Sequence, residues 1–159
     1  MPGIPAYPAT GGRGFSLVEL IIALALLAIL AGMAAPTFSD MVAGQRIRST
    51  AGEIHAALFL ARSEAMKRNT SIALSARDAS DWSQGWRIGA DGGDILRQET
   101  VGGGIEIQGP ASGMVTFLWT GRPAATSADA VFRLRSPVSG VAARCVSLSL
   151  GGMPEGRPC

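Results

Sequence analysis

The sequence predicts an α+β fold, with one long N-terminal helix packed in its later half on antiparallel β-sheet. Three observations carry this expectation. Residues 15–35 form an unbroken apolar run whose one ionisable side chain is Glu19. Ile47, Ala51, Ile54, Leu58, Ala61 and Ala65 then recur at steps of three and four, the period of a single helix face. After Asn69 the pattern changes to short β-rich runs separated by Gly, Asp, Ser and Pro clusters. No helix-length segment separates these runs, so their sheets should be antiparallel.

Composition narrows the class. The chain has 159 residues, 47% hydrophobic and 16% charged. Disorder would require low hydrophobicity and high charge, the reverse of what is found. Twenty-one glycines without a triplet period exclude collagen, and two cysteines exclude a disulfide-dense scaffold. The formal charge of +2 is too small for binding to nucleic acid or anionic membrane driven by bulk charge. Every basic residue except Lys67 is Arg, which leaves room for a local Arg cluster.

Along the chain, residues 1–14 read MPGIPAYPATGGRG, too rich in Pro and Gly for a stable helix or strand. Residues 15–35 as a helix span about 31 Å, close to the hydrocarbon thickness of a bilayer. A buried core helix is one alternative, but a domain of this size has no interior for a helix apolar all round. A secretory signal peptide cut within residues 31–35 is the other. Glu19 argues against the signal peptide, because a carboxylate five residues into an apolar segment costs a few kcal/mol unless paired. Gly32 and Pro36 predict a kink or local unwinding. Beyond them the amphipathic stretch should carry Arg46, Arg48, Glu53, Arg62 and Glu64 mostly off the apolar face, and end at Asn69-Thr70. The helix would run from about residue 15 to 68, about 80 Å if straight. Strands are expected at 71–75, 85–88, 95–98, 105–108, 115–120, 130–135 and 145–150.

Arg13-Gly14-Phe15-Ser16-Leu17-Val18-Glu19, followed by the apolar helix and Pro36, resembles the prepilin signature of type IV pilins and pseudopilins. Leu60 to Asn69, Trp82 with Gly85-Trp86, Gly121-Arg122-Pro123 and Arg144-Cys145-Val146 resemble the GspH/FimT branch of that family, which includes minor pilins of the FimT/FimU kind. The resemblance implies a pilin-like fold and four regions: a leader at 1–14, a transmembrane and assembly helix at 15–35, its amphipathic continuation at 36–69, and a β-rich domain at 70–159. It implies cleavage by a prepilin peptidase between Gly14 and Phe15, and N-methylation of Phe15. The new amine of one subunit would meet Glu19 of its neighbour, neutralising a buried carboxylate and setting register; Glu19 and Pro36 are thus the expected assembly residues. Other pilins or pseudopilins, the inner-membrane assembly platform and membrane lipid would be the partners. The chain would be a single-pass inner-membrane protein with a periplasmic C-terminal domain, later incorporated into a pilus or pseudopilus.

The periplasm permits disulfides, so Cys145 and Cys159 are read as a pair, with two free thiols as the alternative. The segment between them, containing Gly151-Gly152, Pro154, Gly156 and Pro158, reads as a turn-rich loop that should lose order first. Nothing points to catalysis: His55 is the one histidine, and neither a nucleophile elbow nor a phosphate-binding loop is present. The chain is therefore not expected to be an enzyme or to need a cofactor or metal. Asp91-Gly92-Gly93-Asp94 reads as a hairpin turn, with a calcium loop as its alternative, and Gly102-Gly103-Gly104 reads as a turn. Trp82, Trp86 and Trp119 read as core or hairpin packing. Arg122, Arg133, Arg135 and Arg157 are candidate contacts for DNA or a protein partner, against the plainer reading of a solvated face. Three functions follow: a minor pilin that helps initiate or cap a type IV pilus, a GspH pseudopilin of type II secretion, and a tethered DNA receptor for natural transformation.

Overall fold

The computed structural model describes residues 14–78, 81–90, 93 and 95–159, with the side chains of 33–37 left aside. The expected leader, apart from Gly14, and Asp91, Gly92 and Asp94 of the expected hairpin turn lie outside the described residues. Two compact units divide the chain, Met1–Phe38 and Ser39–Cys159. One helix, α1, spans Leu17–Arg68.

In the first unit Gly14 to Ser16 are non-helical, and the helix ladder opens with the Leu20 N–H donating to the Ser16 carbonyl at 3.1 Å. The helical backbone continues through Gly32 and Pro36, so the local unwinding expected there is absent. A proline removes one ladder bond, which a helix of 52 residues can lose without ending.

The second unit owns a core. Ile47, Ile54, Leu58, Ala61 and Ala65 are at most 1% exposed, and Ala57 joins them, so the apolar stripe read from the sequence is the buried face. Ala51 is partly buried against the same cluster. Asn69 ends α1 at φ 52°, and the Thr70 N–H returns to the Ala65 carbonyl at 3.2 Å. That is the six-to-one bond of a Schellman cap, with Asn at the left-handed position.

Eight strands follow: β1 Ile72–Asp78, β2 Asp81–Ala90, β3 Ile95–Glu99, β4 Glu106–Gln108, β5 Met114–Phe117, β6 Val131–Arg135, β7 Arg144–Leu148 and β8 Pro154–Pro158. They form two antiparallel sheets, in the orders β3-β2-β1-β5 and β4-β6-β7-β8. Ile72, Leu74, Ile88, Val115 and Phe117 from the first sheet, and Ile107, Phe132, Leu134 and Val146 from the second, share one core with the helix face. Trp82 seals the seam: it lies on β2, and its ring meets Phe132 of β6 edge-on with centroids 4.7 Å apart. The Ile107 N–H also donates to the Ser83 hydroxyl at 3.0 Å across that seam.

Three expectations need correction. The expected strand at 115–120 stops at Phe117, because Leu118 to Gly121 close a turn: the Gly121 N–H donates to the Leu118 carbonyl at 2.8 Å. Trp119 rides on that turn and is 59% exposed, whereas Trp82 and Trp86 are 1% exposed as core residues should be. The segment after Leu150 is not a loose loop. It makes a turn at Ser149 to Gly152 and returns as β8, paired from Leu148↔Pro154 to Arg144↔Pro158. The prolines fit because they alternate with bonding positions. The Cys159 N–H donates to the Ala143 carbonyl, so odd-numbered residues point to β7 while Pro154 and Pro158 face away.

Candidate functional site

Two regions of side chains lack an internal structural use. The first is the start of α1. Phe15 is 83% exposed, and every large apolar side chain from Leu17 to Leu30 is more than half exposed. Burying one such side chain is worth about 1.5–3 kcal/mol, so this array stores a large driving force for association with lipid or other helices. Glu19 lies in the first turn of α1, where the positive end of the helix dipole favours a carboxylate. Among the described residues it has no ion-pair partner. Phe15 and Glu19 are thus four residues apart at one helix end, the carboxylate unpaired. Pro36 takes part in α1 through its backbone. Among the described residues no helix is long and apolar enough to cross a membrane; the apolar run of the sequence is completed by residues 33–35, whose side chains are outside that description.

The second region is the outer face of the β4-β6-β7-β8 sheet. Cys145 and Cys159 form a disulfide with Cα atoms 5.1 Å apart, which ties the end of β8 to β7. The register places Arg133, Cys145 and Arg157 side by side across three strands. Paired residues of antiparallel strands share a face, so Arg133 and Arg157 flank the disulfide. Arg135 stands opposite Glu106, and Glu155 shares the face of Arg157 two positions away. Arg122 does not join them. It belongs to the turn after β5, whose Gly121 carbonyl accepts from Arg62 Nε of α1 at 2.9 Å. The four candidate arginines therefore divide into three on one sheet face, interrupted by carboxylates, and one elsewhere.

Two helix contacts escaped the sequence reading. The His55 Nε2–H donates to the Pro154 carbonyl at 3.1 Å, fastening the edge of β8 to α1. Arg62, expected on the solvent side, is half-buried and also reaches Met153 Sδ at 2.7 Å. No local signal announces either, since each partner is more than fifty residues away. The alternation Pro154-x-Gly156-x-Pro158 was the available sign of an edge strand. At the end of α1, Arg68 bonds Glu64 at 2.6 Å with Lys67 3.5 Å away. The Arg68 hydrogen bond, followed by the charges of Lys67 and Arg68, holds the Glu64 carboxyl below its usual range against a smaller opposing effect of burial. Among the described residues no group of three or more His, Cys, Asp or Glu side chains could hold a metal.

Comparison with known proteins follows the same division. A family model described as "Prokaryotic N-terminal methylation motif" matches residues 11–35. One described as "Type II transport protein GspH" matches residues 50–152. Two crystal forms of the type IV minor pilin FimU of Pseudomonas aeruginosa share the fold. One aligns with a TM-score of 0.63 at 26% identity, covering 72% of this chain and 90% of FimU. The other aligns with a TM-score of 0.60 at 26% identity, covering 70% and 92%. No curated protein gives a significant match. A methylation motif at the head of the helix, the GspH match over most of the domain and the FimU fold agree: the chain belongs to the GspH family and is a subunit of the minor pilin and pseudopilin kind.

Proposed function

We propose that the chain is a minor pilin that helps initiate or cap a type IV pilus. The observation that carries this reading is the co-linear pair of a methylation motif at 11–35 and a GspH domain at 50–152 on a fold shared with FimU, a type IV minor pilin. In this reading residues 15–35 anchor the precursor in the inner membrane with the domain of residues 70–159 in the periplasm. A prepilin peptidase removes 1–14 and the Phe15 amine is methylated. Extraction by the assembly platform then moves the exposed apolar array from lipid to the helices of neighbouring pilins. Glu19, without an ion-pair partner among the described residues, pairs with a neighbour's N-terminal amine, and Pro36 belongs to the same packing surface. Burial of an unpaired carboxylate among apolar helices would be strongly unfavourable, which makes that pairing a condition for correct register.

The family description names type II transport, which supports a second reading as a pseudopilin of type II secretion. The two share every step to this point and differ in the machine served. The test has two stages. Intact-mass measurement of membrane-extracted protein should give methylated Phe15 as the first residue; retention of Met1 in peptidase-positive cells would defeat both readings. Deletion of the gene should then reduce surface piliation with exoprotein secretion intact. The opposite pattern would transfer the protein to the secretion machine.

A further inference from the structure

We infer that the segments 59–68, 118–123 and 149–153 together form a docking site for the soluble domain of a different filament subunit, one that offers a carboxylate set among apolar side chains. The inference rests on the reading of the chain as a pilus or pseudopilus subunit, and names a contact surface for it. Arg62 ties the three segments together. Its Nε donates to the Gly121 carbonyl at 2.9 Å and its Nη1 to Met153 Sδ at 2.7 Å. The two turns lie tight against the helix and each other. A Cβ at Gly121 would lie 2.6 Å from Met66 Sδ, and one at Gly152 would lie 2.5 Å from the Gly121 carbonyl oxygen. Around this junction Phe59, Met66, Trp119, Leu150 and Met153 are between 45% and 71% exposed. Phe59, Arg62 and Met66 follow at steps of three and four, so they share one helix face. A cluster of large exposed apolar side chains marks an interaction surface. Trp, Phe, Met and Arg are the residues enriched where proteins meet.

Charge selects the partner. Arg62 is half-buried, both groups it bonds are neutral, and among the described residues it has no ion pair. A thioether is a weak acceptor. A carboxylate from outside would displace Met153 Sδ from Nη1 and form the stronger, charge-assisted bond, while the flexible Met153 side chain repacks. The three segments carry Arg62, Lys67, Arg68 and Arg122 against Glu64 alone. Glu64 is already held by Arg68 and Lys67. The next carboxylates along the chain, Asp129 and Glu155, fall outside these segments. A two-fold pair of copies meeting through this surface would set its cations against the same cations, so the site suits a different subunit.

The test places a photo-crosslinking phenylalanine analogue at position 119 or 150 of the full chain, in cells that assemble the filament, with the exposed Ile95 of β3 as the control position. Irradiation should join positions 119 and 150, but not 95, to a second protein with the prepilin signature. The mapped contact should include an Asp or Glu of that protein. Trp119→Ala and Arg62→Gln should each lower the yield at position 150 by about tenfold or more, the scale of an interface hot spot. Trp119→Ala removes an exposed side chain, so its folding, followed through Trp82 and Trp86, should match the parent. Arg62→Gln keeps a donor for the Gly121 carbonyl, and Arg62→Lys, which keeps the charge, should recover part of the yield. The inference is overturned if positions 119 and 150 join nothing, only a second copy of this chain, or a protein without that signature. It is equally overturned if the yield survives in Trp119→Ala and Arg62→Gln. DNA binding by the processed chain in detergent micelles, lost in both variants, would overturn it in favour of a phosphate partner. With Phe15 methylated and the chain incorporated normally, any of these results falls on this surface alone; retention of Met1 is what defeats the filament reading.

Discussion

Gly85 shows how a single position constrains the β2 strand. It lies at φ 106°, and a Cβ there would collide with the backbone carbonyl of Glu99 on β3. Gly85→Ala should therefore destabilise the domain by about 2–4 kcal/mol, combining left-handed strain with overpacking against backbone; equilibrium denaturation measures it. A carboxylate gives the pH counterpart. The folded state holds the Glu64 carboxyl below its usual range through Arg68 and Lys67. Its contribution is present above the unfolded-state value and is lost as pH falls through the lower folded value. Denaturation midpoints should thus decline less steeply on acidification in Glu64→Gln than in the parent. An identical decline would mean that the exposed pair contributes nothing, as many surface ion pairs do.

At the scale of elements, β8 joins the outcome of sequence and tertiary context. Pro154, Gly156 and Pro158 suggest a turn when read locally, because each disfavours a strand interior. Their equal parity hides the real property: the bonding residues are Glu155, Arg157 and Cys159. The helix face at 47–65 was legible since its period is local and its apolar residues are unambiguous. Strand boundaries were less so, and Trp119 was misplaced because its exposure follows from a turn closed by Gly121 rather than from its own residue type. The Arg set was legible in part, since Arg133 and Arg135 stand two apart on one strand and so share its face; its division between a sheet face and a distant turn is set by strand order. The disulfide pairing was legible, but the strand it secures was not. Reduction should accordingly cost about 2–4 kcal/mol. It should also speed hydrogen exchange at the amides of Glu155, Arg157 and Cys159, with little change in β6. Unaltered exchange there would show that the His55 anchor and the ladder hold β8 without the bond.

At the scale of the molecule, the two units satisfy opposite requirements. Side chains from Phe15 to Leu30 are exposed throughout, so the first unit is complete only in lipid or among other helices. In the second unit, Ile47 to Ala65 have their partners within the chain: Leu74, Ile88 and Val115 from one sheet, Phe132, Leu134 and Val146 from the other. A chain beginning at Ser39 removes the need for a membrane while keeping that core. It should fold as a soluble α+β monomer, with an unfolding free energy within about 1 kcal/mol of the processed full chain, since none of the deleted residues whose side chains are described is buried in the core. Sedimentation, together with denaturation followed through Trp82 and Trp86, checks both parts. Shortening further to Ile54 should be damaging, because it deletes Ile47, fully packed in the core, and the covering given by Ala43 and Thr50. Removing such a side chain costs about 2–5 kcal/mol. If the chain starting at Ser39 aggregates while the longer one is monomeric in detergent, the exposed Trp119, Leu150 and Met153 would be the apolar surface to account for it, and the claim that the second unit is self-sufficient would fall.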